Sequence, residues 1–378
     1  MAENMSEKIK GVISGLLFTV ILYLSSFFGV VYLAGPLLPL MFLNGRMFRK
    51  MFDYALHTWL ILPGALMELF FGTKILIKGD KVPKDEATLI IMNHRCRLDW
   101  MFYFMVLLRN GNLRNEKIIL RGDLKLLPGP GWAMQNAMFL FLKRRWEQDK
   151  DYLKAIFNYF LDTNFPLQLL IFPEGTNFCR EGKSKSDAFA LKNDLPFYEY
   201  VLHPRVRGFN FIIQKLRDKT LKAVHDVTIG YKNGFCYGEL DLLRGKFPGE
   251  IHVYITRYDI NLLPRDSDSL DNWCVQRWSE KEKRLEKFYK DGEFTEHNSI
   301  SESDRVETEA ATVRKMQLVV LFWFGFLFFV FYAIYHYWAF RMFGIFVTGF
   351  HIFALVYYGG TDLLQIQLHE ASKQEKHD

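Results

Sequence analysis

Charge is missing from the first long stretch of the chain. Gly11 to Leu43 contains no Asp, Glu, Lys or Arg, and it exceeds the roughly 20 apolar residues needed to cross a bilayer. That absence points to a membrane-spanning segment. A signal peptide is the competing reading, set aside because the run is too long and Gly35-Pro36 interrupts it late. Cysteine is scarce: Cys96, Cys179, Cys236 and Cys274 are the 4 present, and no two form a C-x-x-C pair. A disulfide scaffold and a zinc site are thereby excluded. Isolated thiols fit a reducing compartment, with the soluble part facing the cytosol. The chain also lacks a G-x-S-x-G elbow, a P-loop, a complete G-x-G-x-x-G, a metal-ligand cluster and any internal repeat of its globular part. A serine-nucleophile or nucleotide-loop mechanism therefore has no foothold. Gly129-Pro130-Gly131 is read as a turn.

The residues that are present are segregated. Apolar residues make 50% of the 378, yet charged residues make 24%, so the two kinds occupy different segments. The 36 Phe, 18 Tyr and 8 Trp collect largely in the terminal segments, as in a membrane protein. The net charge of +6 suits anionic headgroups or phosphate; a mildly basic solvated surface is the bland alternative.

The chain divides into four regions. Residues 1–77 hold the N-terminal membrane segments. Here Arg46, Arg49 and Lys50 form a basic patch, and a second apolar segment, Tyr54–Ile77, carries His57, Glu68 and Lys74. Those groups make it a poor lipid-exposed span, so it is re-entrant, interfacial or packed under the soluble domain. Residues 78–290 alternate strand-length apolar runs with helical patterns, which predicts one α/β domain. Thr88–Met92, Leu167–Phe172, Val224–Tyr231 and Glu250–Arg257 read as strands, Glu147–Leu161 and Trp273–Phe288 as amphipathic helices. Residues 291–315 are a polar linker, expected to be solvated and disordered. Residues 316–378 form a transmembrane hairpin, Leu318–Phe340 and Phe343–Tyr358 with Arg341 at its turn, and a tail. If both ends form hairpins, the domain and both termini share one side, the cytosol. Lysines in the last six residues resemble an endoplasmic-reticulum retrieval signal with imperfect spacing; a plain solvated tail is the equal alternative.

The chemistry centres on Asn93-His94-Arg95-Cys96-Arg97-Leu98-Asp99. An apolar strand stops at Met92, and an apolar helix starts at Asp99. Within one regular helix, residues five apart point roughly 140° away from each other. Across a loop they can meet, with His94 as a base and Asp99 fixing its tautomer. The spacing by itself means little among ten histidines; a structural histidine is the competing reading. Support comes from elsewhere. Phe172-Pro173-Glu174-Gly175-Thr176 closes a second strand in a tight loop, where open α/β sheets place their sites. Met138–Leu142 runs into Lys143-Arg144-Arg145, and the planar fork of Arg144 suits a phosphate. Tyr200-Val201-Leu202-His203-Pro204-Arg205 is a further apolar run halted by proline. Cys96 could in principle be acylated, but a small inert loop residue is the simpler reading.

The order of these pieces, N-H-x-x-x-x-D, a strand ending in Arg, F-P-E-G-T, then a run ending in Pro, resembles the four blocks of the lysophosphatidic acid acyltransferase family. Flanking stretches, such as Gly131-Trp132-Ala133-Met134-Gln135 and Arg277-Trp278-Ser279-Glu280-Lys281-Glu282, are similar to its lysocardiolipin and lysophosphatidylinositol branch. Met138 stands where the family's second block often opens with Gly. The resemblance implies a central mixed sheet flanked by helices. It also implies transfer of an acyl group from acyl-CoA to the free hydroxyl of a lysophospholipid. The site it implies has His94 and Asp99 as catalytic residues. Asn93, Arg144, Pro173, Glu174, Gly175, Thr176 and Pro204 would lie at the substrate. Glu174 is expected to pair with a cation or backbone N–H groups rather than with phosphate. No cofactor or metal is implied; the partners are acyl-CoA, the lysophospholipid and the membrane, with no nucleic acid. The endoplasmic reticulum, or a mitochondria-associated membrane, is the expected location. A lipid-binding scaffold that retains the fold, and a hydrolase or transacylase using the same histidine, are the competing functions.

Overall fold

Leu89, Ile90, Ile91 and Met92 present no polar side chain, and all four are fully buried. A strand of this kind belongs in the interior of a parallel sheet, covered on both faces. The computed structural model describes residues 2–375 except 234, 235 and 297. Its strands are β1 (Lys74–Gly79), β2 (Thr88–Met92), β3 (Glu116–Arg121), β4 (Leu140–Leu142), β5 (Gln168–Ile171), β6 (Ala223–Lys232) and β7 (Glu250–Asp259). The chain divides into two compact units. One comprises Met1–Phe18, Leu66–Asn112 and Pro166–Val313; the other comprises Thr19–Ala65, Leu113–Phe165 and Arg314–Asp378.

The first unit is built on a mixed sheet with strand order β1-β7-β6-β2-β5. β2 pairs parallel to β5, Leu89 opposite Leu169, and parallel to β6, Met92 opposite Val227. β6 pairs antiparallel to β7, and β7 parallel to β1. The carboxyl ends of β2, β5 and β6 therefore share one edge. β6 runs on past the end of β2, so Ile229 and Tyr231 stand beside the loop that leaves Met92.

Helix Asp99–Asn110 buries Met101 to Leu107. Helix Ser267–Asp291 starts where the Asp266 carboxylate accepts from Ser269 N–H at 2.8 Å, and it ends at Gly292 with φ +82°. Gly230 lets this helix come close to β6: an added Cβ would lie 2.8 Å from Phe288 Cε1. The helix buries Trp278, Leu285 and Phe288, as its amphipathic pattern predicts, but also Lys281. Lys281 pairs with the fully buried Asp226 and donates to the Val227 carbonyl at 2.5 Å.

Several expectations need correction. β1 starts at Lys74 and pairs with β7, so the sheet begins inside the segment assigned to the membrane. The second apolar segment is one continuous helix, Gly45–Phe71, with Pro63 inside it. Its Glu68 is not left exposed: buried Arg109 grips it with both terminal nitrogens at 2.9 and 2.6 Å. The same guanidinium holds Glu309 at 2.8 and 2.6 Å. That clasp accounts for a further correction, because the expected polar linker is helical from Glu302 onward. A charge-rich stretch is ordered there by a buried partner that composition does not reveal.

In the second unit, β3 and β4 pair in parallel. Arg49, read as part of a basic patch, is buried and bonds Asp53 through two nitrogens, each at 2.9 Å. Asp53 also pairs with fully buried Lys117 at 3.2 Å. The helix Ala2–Phe28 widens into a π-helical turn at Gly29–Leu33, tightens to a 3-10 turn at Gly35–Leu37, and resumes at Leu38–Leu43. The hairpin turn near the C-terminus is at Tyr337, and Arg341 lies inside helix Trp338–Tyr358. Among the described residues, four segments are long and apolar enough to cross a membrane: Ser6–Leu43, Gly45–Phe71, Glu307–His336 and Trp338–Tyr358. Residues 376–378 of the retrieval-like tail lie outside the described residues.

Candidate active site

The site lies at the shared carboxyl edge of β2, β5 and β6. β2 ends at Met92, and Asn93 fixes the start of the loop beyond it. Its amide donates to the Ile229 carbonyl at 3.1 Å and accepts from the Ile229 N–H at 2.8 Å. Asn93 is fully buried. It anchors the loop to β6, where the ladder with β2 has ended.

The loop then folds back on itself. Asp99 opens the next helix, and its Oδ2 accepts from Cys96 N–H at 2.9 Å. The same oxygen lies 2.9 Å from His94 Nδ1, while Oδ1 accepts from the Tyr231 hydroxyl. Asp99 is fully buried, and the His94 side chain is 15% exposed. A buried carboxylate needs such donors to stay charged. Burial and the neighbouring Asp99 push the Tyr231 hydroxyl well above its ordinary pKa, so it remains a donor. A carboxylate only accepts, so His94 carries its hydrogen on Nδ1 and a lone pair on Nε2. Nε2 has no partner among the described residues. The imidazole is held flat against the Phe172 ring, centroids 4.1 Å apart.

Phe172 leads into the second loop. Gly175 N–H donates to the Phe172 carbonyl at 2.9 Å, and Gly175 takes φ +73°, a conformation that disfavours other residues. Glu174 Oε1 accepts from His94 N–H at 3.1 Å and from the Trp278 indole N–H at 3.2 Å. The two loops are tied again by Phe178 N–H donating to the His94 carbonyl at 2.6 Å. Burial raises the Glu174 carboxyl to about 7, against the lowering effect of those donors. Thr176 is half-buried, its methyl against the start of helix Arg180–Lys192.

Pro173 and Pro204 are both buried, joined by Arg205 N–H donating to the Pro173 carbonyl at 2.7 Å. The Arg205 side chain then crosses the glycine: its Cδ and Nε lie 3.2 and 3.3 Å from where a Gly175 Cβ would be. Arg205 is exposed, and its guanidinium has no acid partner among the described residues. Arg144 belongs to the second unit. It is exposed, with φ +62°, on a loop held by Asp149, which accepts from Lys143 N–H at 2.8 Å and Arg145 N–H at 3.0 Å. Cys96 is fully buried, and burial pushes its thiol pKa up, which suits an inert loop residue.

Tyr231, Trp278 and Arg205 are site residues that sequence reading did not single out. Tyr231 is 132 residues from Asp99 and Trp278 is 104 from Glu174. No local pattern joins such pairs. The signal for Arg205 was present, since it comes directly after the proline that ends its apolar run.

Residues 74–232 match the family model described as Acyltransferase, and residues 241–323 the one described as Acyltransferase C-terminus. Among curated proteins, the chain is 43% identical over 371 residues to lysocardiolipin acyltransferase 1 of Gallus gallus, covering 96% of this chain and 97% of that one. It is 36% identical over 248 residues to lysophosphatidylinositol acyltransferase 10 of Caenorhabditis elegans, covering 65% of this chain and 63% of that one. A solved structure, the LPA acyltransferase PlsC from Thermotoga maritima, aligns with TM-score 0.43 and 18% identity over 73% of this chain and 97% of its own.

Proposed function

The chain belongs to the lysophosphatidic acid acyltransferase family, near its lysocardiolipin and lysophosphatidylinositol branch, and from that premise we propose that it acylates a lysophospholipid at a membrane, with acyl-CoA as the donor. A free hydroxyl is a poor nucleophile at neutral pH, so something must take its proton as the oxygen attacks the thioester carbon. His94 Nε2 takes that proton. Asp99 holds the ring in the required tautomer and stabilises the imidazolium that forms. The tetrahedral intermediate then expels the CoA thiolate, which recovers the proton from His94 and leaves as the thiol. No acyl-enzyme is required. Glu174 acts on the loop, through its bonds to His94 N–H and Trp278. Arg205, beside the Gly175 loop, is the cation proposed for the acceptor's phosphate; Arg144 is the one that the family resemblance implies for it. The four apolar helices support a membrane setting. The endoplasmic reticulum is the proposed compartment, with the site facing the cytosol.

The observation that carries this reading is the 2.9 Å contact between His94 Nδ1 and Asp99 Oδ2, with no partner for Nε2 among the described residues. The test supplies radiolabelled acyl-CoA to membranes containing the full chain, with and without lysocardiolipin, lysophosphatidylinositol or lysophosphatidic acid. Label is expected in phospholipid only when an acceptor is present. His94→Ala should lower that rate by about 10²–10⁴-fold at unchanged membrane content. Label appearing only as free fatty acid would point to a hydrolase. No turnover with any acceptor would favour a scaffold.

A further inference from the structure

β6 outruns its neighbour. Its last partner on β2 is Met92, opposite Val227, yet the strand continues to Lys232. There β7 holds it, with Ile229 opposite Val253 and Tyr231 opposite Ile251. The overhang stands behind the loop that carries His94. The Ile229 backbone takes the Asn93 amide. Two residues on, the Tyr231 hydroxyl donates to Asp99 Oδ1. The Tyr231 ring is buried and meets Phe102 edge-on, centroids 5.9 Å apart, on the helix that Asp99 opens.

Asp99 is fully buried, and among the described residues no Lys or Arg pairs with it. Its donors are Cys96 N–H and His94 Nδ1–H on Oδ2, and the Tyr231 hydroxyl on Oδ1. Bonds to an ionised acceptor are the strong ones, so the hydroxyl carries a large share of the carboxylate's stabilisation. Without it, Asp99 leans harder on His94, and the pair holds an added proton more tightly. The direction is the same whether that proton sits on the imidazole or on Asp99, because either form cancels the carboxylate's charge within the pair. A base already protonated at rest cannot take the proton of an attacking hydroxyl. The other titratable groups around the pair are Glu174 of the β5 loop, which holds His94 N–H, Cys96 with Cys236 beside it, and Tyr289 of helix Ser267–Asp291 near Tyr231. None of their side chains donates to Asp99. Lys281 of the same helix is taken by Asp226.

We propose that Tyr231 is a positioning residue for the His94–Asp99 pair, donating to Asp99 Oδ1 so that the imidazole stays unprotonated at neutral pH with Nε2 open to the acceptor's hydroxyl. This role presupposes His94 as the base. It gives the overhang of β6 a purpose, since the same stretch of strand fixes the start of the loop through Asn93 and its end through Asp99.

The test reads His94 directly, in the full chain in nanodiscs. Diethyl pyrocarbonate reacts with unprotonated imidazole, so the rate of His94 modification against pH, followed by peptide mass spectrometry, has a midpoint that reports protonation without any turnover. Peptide sequencing places the label on His94 itself, apart from the titration of Glu174. Tyr231→Phe keeps the ring against Phe102 and removes the hydroxyl, and the midpoint should rise by about one pH unit or more. Replacing Tyr231 by 3-fluorotyrosine, a more acidic and stronger donor, should lower it. Part-exposed His369, bonded to Asp162, is the control, and its profile should stay where it was in both variants. A Tyr231→Phe chain with the wild-type midpoint, or two variants that move the midpoint the same way, overturns the proposal. Should Tyr231→Phe unfold, the control profile moves as well, and the 3-fluorotyrosine chain, which keeps every bond, decides: an unmoved or raised midpoint overturns the proposal. In acyl transfer, the acid limb of kcat/KM should follow the His94 midpoint. A midpoint that moves while that limb stays would count against His94 as the base and leave the effect of Tyr231 on the pair standing.

Discussion

The Glu174 carboxyl shows how one residue can report on a whole site. It titrates at about 7 in the folded chain, against an ordinary 4.5. Between those values the folded state keeps a proton that the unfolded state releases. This group's contribution therefore lowers stability as pH rises from 4.5 to 7, by something on the order of 3 kcal/mol, and is constant above that window. Glu174→Gln keeps an acceptor oxygen for His94 N–H and the Trp278 indole while removing the titration. In thermal melts, the variant's advantage over wild type should grow from pH 4.5 to 7; parallel pH profiles would contradict the assignment. The two arginines make a second comparison. Arg205→Gln should raise KM for phosphate-bearing acceptors about tenfold or more, since a charge-assisted bond contributes about 1.5–3 kcal/mol, and should change kcat little. Arg144→Ala applies the same test to the cation that sequence reading favoured. An Arg205 variant with unchanged KM would remove it from the acceptor site.

At the scale of elements, the loop from β2 is anchored where its strand pairing stops. Asn93 bonds both polar groups of Ile229, and Glu174 and Phe178 hold His94 from the end of β5. Helix Ser267–Asp291 joins the same structure through Trp278 and, on β6, through the Lys281–Asp226 pair. Lys281→Met leaves Asp226 as an uncompensated buried charge, with an expected loss of about 3–5 kcal/mol, read as a drop in melting temperature. Adding Asp226→Leu should recover most of it; a double variant as unstable as the single would mean that the helix packing, and not the pair, was lost. Most of these elements were legible beforehand. Thr88–Met92 and the helix at Asp99 follow from where the apolar runs start and stop. β1 escapes sequence reading because its Ile75-Leu76-Ile77 run merges with the apolar segment before it, and β3 because it opens on two charged residues, Glu116 and Lys117, that are both buried. Met138 was read as the start of a strand. It takes φ +58° and β4 starts only at Leu140, so the left-handed residue sits where the family often has the glycine that such a turn favours.

For the whole molecule, four long apolar segments predict that the chain stays in the pellet through an alkaline carbonate wash, and its release into the supernatant would refute spanning helices. Here local and tertiary information separate. The uncharged run before Leu43, the buried strands and the five-residue spacing of His94 and Asp99 are properties of neighbouring residues, and they were readable because hydrophobicity and turn chemistry act over a few residues at a time. The environment of each charged group was not readable. Whether Lys117 faces water or Asp53, whether Glu68 meets Arg109, whether Asn93 reaches β6, and whether Glu174 holds its proton near neutrality all depend on partners distant in the chain. Strand register and helix packing select those partners, and burial sets the charge state, so only the folded structure could decide them.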